Sequence, residues 1–238
     1  MSHREAAEAW LAGLVESALP LPRTEGARPR SPLTFAAALP VGVAVERDLA
    51  DLVLAERLAI WLVRDAVVGA APDGIRVTDL HDVWLGGPPL PAIAAGADYR
   101  MTIDPTSDPG VEPLRRAAAQ LLGAANIPRE RAKGGGSVGY DLRPLLATIR
   151  VSDGPGPRTI VARTRFLPER GAGRPDEVLA ALGDLVGCRL VAGTTVRERI
   201  ILAEETLDEA ADEAAVEAAG ELAEDPAGKA AKAPARGA

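Results

Sequence analysis

Cysteine, histidine, lysine and aromatic residues are all scarce in this chain, and each scarcity removes a class of function. One cysteine, Cys188, permits no internal disulfide and cannot hold an iron–sulfur cluster. No CxxC, HxH or HxxxH spacing is present, so neither a metal nor a cofactor is expected. Cys188 sits in an apolar helix-to-strand segment and reads as an inert small hydrophobe. Only His3 and His81 could serve as the base of a nucleophilic site. His81, between Asp79 and Asp82 on an expected strand, reads as a surface histidine. Aromatic content of 3% supplies a base-stacking platform poorly, with Tyr140 and Phe166 the nearest candidates and Phe166 read as core. The longest apolar windows, 36–45 and 58–68, fall short of the ~20 residues that span a bilayer, so no membrane segment is expected. Met1 is followed by a polar amphipathic stretch, not by a basic-then-apolar leader, which makes the cytoplasm the expected compartment.

Arginine carries nearly all of the positive charge, since only Lys133, Lys229 and Lys232 are lysines. Residues 204–238 hold ten acidic and three basic side chains, which accounts for the whole net charge of −7. Residues 112–174 hold twelve basic against five acidic side chains, while 1–111 hold nine against fifteen. A basic middle between an acidic beginning and end can attract phosphate or an acidic partner. It equally suits a plain solvated surface rich in arginine.

Apolar residues at helical spacing predict an amphipathic helix over 5–19, with Ser2 available as its cap. A Pro/Gly/Arg loop follows, then a buried strand over 33–45 broken by a Pro-Val-Gly turn, and a second strand or helix entry near 48–56. A helix over 58–68 and a strand over 75–85 complete a first unit, α-β-β-α-β. Residues 86–97 read as a connection. The second unit is expected to run as a strand from Asp98, a helix over 111–125, a loop over 127–139, strands over 140–151 and 159–167, a helix over 174–187 and a strand over 194–204. Gly134-Gly135-Gly136-Ser137 lacks the Gly-Lys-Ser/Thr ending of a phosphate loop and reads as a flexible connector. The expected fold is α+β: two tandem ferredoxin-like (split βαβ) units at 1–90 and 97–203, the first lacking its opening strand. An acidic Ala/Glu-rich helix and a disordered tail are expected over 204–238.

Several motifs together resemble a known family. Ser2-His3, Gly26, Pro29, Phe35 and Leu39-Pro40-Val41-Gly42-Val43 match its first half. Tyr99, Arg129, Asp141-Leu142-Arg143-Pro144, Arg174 to Leu179 and Arg197 match its second. The chain over 2–203 thus resembles the bacterial radical-SAM-linked family, a domain of unknown function encoded beside, or fused to, a B12-binding radical SAM protein. The resemblance implies a radical SAM partner, often in gene neighbourhoods of RNA processing and ribosomes. Members usually open with a strand before Ser-His, and carry Phe and His in the loop where this chain has Ala27 and Arg30.

The leading expectation is a non-catalytic accessory protein that presents Arg28, Arg30, Arg115, Arg129, Arg131, Lys133, Arg143, Arg163 and Arg165 to RNA or to an acidic partner, with the acidic tail able to compete for the same patch. Two alternatives stand beside it. One is an enzyme using carboxylate and arginine chemistry, at Asp141 with Arg143 or at Arg174 with Asp176. The other is a scaffold subunit that holds the radical SAM protein through a sheet edge. Pro175-Asp176-Glu177 is also what any helix N-terminus prefers.

Overall fold

The computed structural model describes residues 3–22, 31–84, 86–133, 135–152 and 156–205. The tail expected over 204–238 lies outside them from residue 206 onward, as do Ser2, Arg28, Arg30 and Gly134. The fold is mixed α+β, and residues through Leu202 form one compact unit.

The first half begins with α1 (His3–Glu16), β1 (Leu33–Phe35), β2 (Ala44–Val45), β3 (Ala50–Leu52) and α2 (Ile60–Gly69). Trp10, Leu14, Val63 and Val67 pack the two helices over the β1–β3 pair. Trp10 also donates its indole N–H to the Val67 carbonyl at 3.2 Å, and its ring lies 6.2 Å from that of Phe35. Gly13 is required at this contact, because a Cβ there would stand 2.9 Å from the Ala70 carbonyl oxygen. The strand expected over 75–85 is not formed among the described residues 75–84. Ile75, Val77 and Leu80 instead lie against the helices as irregular chain, and their side chains find an apolar partner without a ladder. The Pro-Val-Gly turn expected within 33–45 is present, with the Val43 amide donating to the Pro40 carbonyl, and strand is kept only at its two ends, in β1 and β2.

After α3 (Leu90–Ile93) come β4 (Ala94–Ile103), α4 (Val111–Gly123), β5 (Pro128–Lys133), β6 (Gly136–Asp141), β7 (Leu146–Val151), β8 (Thr159–Leu167), β9 (Gly171–Ala172), α5 (Pro175–Val186) and β10 (Ala192–Leu202). The main sheet has the order β2-β10-β4-β8-β7, antiparallel except where β2 joins β10, with β9 paired to the end of β8. Leu114, Ala117, Ala118 and Leu121 recur at helical spacing and seat α4 on the sheet. Pro175 at the first position, acids in the first turn and left-handed Gly187 at the end frame α5.

Two expectations change here. The loop over 127–139 is the β5–β6 hairpin, with Arg131 stacked 4.6 Å over the Tyr140 ring and Gly135 at φ +84° in the turn. The strand expected over 140–151 breaks into the end of β6, a 3₁₀ turn at Arg143–Leu145 and β7. Pro144 has no N–H to give a ladder, and Asp141 caps the turn by accepting from the Ile127 and Arg143 amides at 2.7 and 3.0 Å.

Candidate functional site

Side chains alternate across the sheet, so each strand divides its residues between a covered and an open face. On the covered face Met101, Ile103, Ile149, Ile160 and Ala162 meet α4 and α5. Farther along the same face, Ala97, Tyr99 and Ile200 meet Ala36, Leu90 and Ile93. The opposite face carries Asp98, Arg100 and Thr102 of β4, Val161, Arg163 and Arg165 of β8, and Thr148 and Arg150 of β7. The β10 ladder shifts register between Arg197 and Arg199. That bulge brings both Glu198 and Arg199 to the open face, where they bond Arg100 and Asp98, while Arg197 stays on the covered side.

The open face is held by a charge network. Arg163 grips Asp98 with two bonds, Nε to Oδ1 at 2.8 Å and Nη2 to Oδ2 at 3.0 Å, and Arg199 Nε reaches Oδ2 at 3.1 Å. Burial alone pushes the Asp98 carboxyl up; the two guanidiniums outweigh it and hold it below the usual carboxylate range. Arg100 bridges Glu198 at 2.5 Å and Glu46 at 3.1 Å. Arg143 and Arg165 both donate Nη1 to the Leu146 carbonyl, at 3.2 and 2.7 Å. Arg150 is exposed. Five arginines therefore stand on this face (Arg100, Arg150, Arg163, Arg165 and Arg199) against Asp98, Glu198 and the adjoining Glu46.

The arginines expected to form one patch fall into three groups. Arg163, Arg165 and Arg143 belong to the open face and its β7 border. Arg129, Arg131 and Lys133 lie on β5 of the hairpin. There Arg129 pairs with Asp184 of α5 at 2.6 Å, and Arg131 reaches the Ala172 carbonyl at 3.4 Å beside Tyr140. Arg115 is on α4, paired with Glu112 one turn away at 3.3 Å. Asp98, Arg100 and Arg199 escaped the sequence reading. The signal was alternation, charge at every second position of Asp98-Tyr99-Arg100, but pairing Asp98 with Arg163 requires the register of one ladder between two strands 65 residues apart in sequence.

A second charged cluster is internal. Arg197 is 0% exposed, pairs with Asp48, and donates to the Ala38 and Ala37 carbonyls at 3.0 and 3.5 Å. It stands opposite Tyr99 in the ladder. Burial pushes the Tyr99 hydroxyl pKa up, partly countered by the Arg197 charge. This cluster fastens residues 37–48 to the sheet.

The residues suggested for catalysis have other partners. Asp141 accepts from two backbone amides, as described, and Arg174-Pro175-Asp176 forms the start of α5. His81 is exposed on irregular chain, 3.6 Å from Asp79. Cys188, expected to be an inert small hydrophobe, is exposed, following the left-handed turn at Gly187 that ends α5. Among the described residues no group of three or more His, Cys, Asp or Glu could hold a metal ion, and no helix is long and apolar enough to cross a membrane.

A family model described as "Uncharacterized protein conserved in bacteria (DUF2344)" matches residues 1–175. No curated protein matches the chain.

Proposed function

The chain belongs to the bacterial DUF2344 family, and within it we propose that this protein is a non-catalytic accessory factor that docks RNA on the open face of its main sheet. The observation that carries this reading is the arginine surplus of that face: among the described residues, five guanidiniums against three carboxylates, on a sheet backed by α4 and α5. Guanidinium forks match phosphate oxygens, and a polymer of phosphates adds such contacts along its length.

The face also limits how RNA is read. The residues on it are Arg, Thr, Val and acids, while Tyr99 lies on the covered side and Tyr140 on the hairpin. Bases are therefore not stacked on this surface, and recognition proceeds through the sugar–phosphate backbone. In the same reading, β4-α4-β7-β8-α5-β10 is a split βαβ unit interrupted by the β5–β6 hairpin. The resemblance to the radical-SAM-linked family supplies the setting, in which this factor brings RNA to a radical SAM protein.

Fluorescence anisotropy of a labelled mixed-sequence RNA with the full-length protein, over a salt series, tests the reading. The expected result is binding at about 50 mM salt whose log K falls linearly with log salt, by ~0.7 per phosphate neutralised. Absence of RNA binding at that salt, with capture of an acidic protein partner by the same face, would overturn it.

A further inference from the structure

Two positive side chains share one oxygen at the border of the open face. Arg143 Nη1 and Arg165 Nη1 both donate to the Leu146 carbonyl, at 3.2 and 2.7 Å. Among the described residues neither guanidinium is paired with a carboxylate. Their neighbours differ in this respect: Arg163 and Arg199 share Asp98, and Arg100 has Glu198 and Glu46. Like charges this close repel, and one carbonyl dipole answers two full charges only in part.

From this geometry we infer that Arg143 and Arg165 form a clamp for a single phosphate group, which deepens the reading of the open face as an RNA surface and rests on it. The two guanidiniums come from separate elements, the 3₁₀ turn before β7 and the strand β8. Both are anchored at the backbone, and each guanidinium is oriented by its bond to the Leu146 carbonyl. Asp141 holds the Arg143 amide at 3.0 Å, Pro144 stiffens the turn, and Arg165 stands in the β4–β8 ladder opposite Gly96. A guanidinium has five N–H donors, of which the Leu146 carbonyl occupies one on each side chain. A carboxylate is matched by one fork, with both oxygens in its plane; two forks approaching from two elements suit a tetrahedral anion with oxygens directed to each. The chemical class is therefore a phosphate monoanion of the RNA backbone, and the site's position at the β7 border sets where the strand enters the face.

The test compares wild type, Arg143→Gln/Arg165→Gln and Arg143→Lys/Arg165→Lys. Each is assayed with labelled RNA across a salt series and with inorganic phosphate followed by the arginine Nε–Hε NMR signals. The glutamine pair is expected to weaken RNA binding about tenfold or more and to make the salt slope shallower by about 0.7, the value for the one phosphate the clamp neutralises. The lysine pair retains both charges and loses the forks, so it should keep the wild-type slope with weaker affinity, which also guards against a glutamine variant that fails to fold. RNA binding by the glutamine pair with unchanged affinity and slope overturns the clamp and leaves the face intact. If wild type binds no RNA, the reading of the face falls, and inorganic phosphate decides the clamp. Saturating shifts confined to Arg143 and Arg165 keep it, and their absence sinks it.

Discussion

Asp98 and Arg163 face each other across the β4–β8 ladder, and the guanidinium holds the carboxylate by both oxygens while Arg199 adds a third bond from β10. The three residues tie the central strand to both of its neighbours. A carboxyl held below its ordinary range binds fewer protons folded than unfolded. The stability it contributes is therefore present above about pH 4 and lost as pH falls through the folded value. Asp98→Asn leaves two guanidiniums side by side and should cost about 2–4 kcal/mol at pH 7. Its stability should then decline less steeply than wild type between pH 5 and 3, where only wild type still has this carboxylate to protonate. Urea titrations at several pH values measure both effects, and parallel acid limbs would show that Asp98 does not carry the dependence.

The sequence signals that held were those resolved within one element. Periodicity over 111–123 and the Pro-Asp-Glu start with a Gly end over 175–187 located α4 and α5 within a residue or two. What escaped required information from elsewhere in the chain. The β5–β6 hairpin looked like loop because Gly134-Gly135-Gly136 suggested a flexible linker, whereas its strands are held by Arg129 on Asp184 and Arg131 on Tyr140. The stretch over 75–84 alternates like a strand, yet its apolar residues are satisfied against α1 and α2. On the open face, an excess of arginine was legible in composition, but its division into paired and unpaired cations depends on the β10 bulge and the β7–β8 register.

Arg197 and Asp48 make a different kind of link, between the chain preceding β3 and the covered side of the sheet. Arg197→Met retains bulk and removes every donor, leaving the Asp48 carboxylate and the Ala38 carbonyl without this partner. The expected loss is about 3–5 kcal/mol, and Asp48→Asn added to it should recover part by removing the stranded charge. Hydrogen exchange should quicken at the Ala36 and Glu46 amides, which bond the Leu49 and Arg197 carbonyls at the margins of this contact. A global loss with unchanged relative protection at those two amides would argue against a local fastening role.

Both tyrosines of the chain are expected to resist ionisation. Burial is the main cause at Tyr99, and at Tyr140 burial is joined by the Glu177 charge, with Arg131 opposing. A phenol whose pKa is raised in the folded state contributes stability that is fully present below about pH 10 and lost as pH rises through the folded value. Ultraviolet titration of tyrosinate should therefore show no group ionising at the free value, with the last one appearing together with alkaline unfolding. Tyr99→Phe should move the onset of unfolding to higher pH. A normal titration of two phenols in the folded protein would contradict the burial of both hydroxyls.

Glu198 offers the sharpest check of the open face, because its removal should improve binding. Its carboxylate holds Arg100 Nε at 2.5 Å, and the bulge that brings Glu198 onto this face places it among the arginines proposed to meet RNA. Glu198→Gln leaves Arg100 paired with Glu46 alone and raises the charge of the face by one. Both carboxylates and Arg100 are partly solvated, so the stability change should stay within about 1 kcal/mol. RNA affinity should rise several-fold at low salt and converge with wild type as ionic strength screens the added charge. Most substitutions in a binding surface weaken it, so a gain that disappears with salt separates a role in anion binding from a general disturbance of the sheet. An unchanged affinity at every salt concentration would mean that RNA, if bound, does not meet the part of the face that Arg100 and Glu198 occupy.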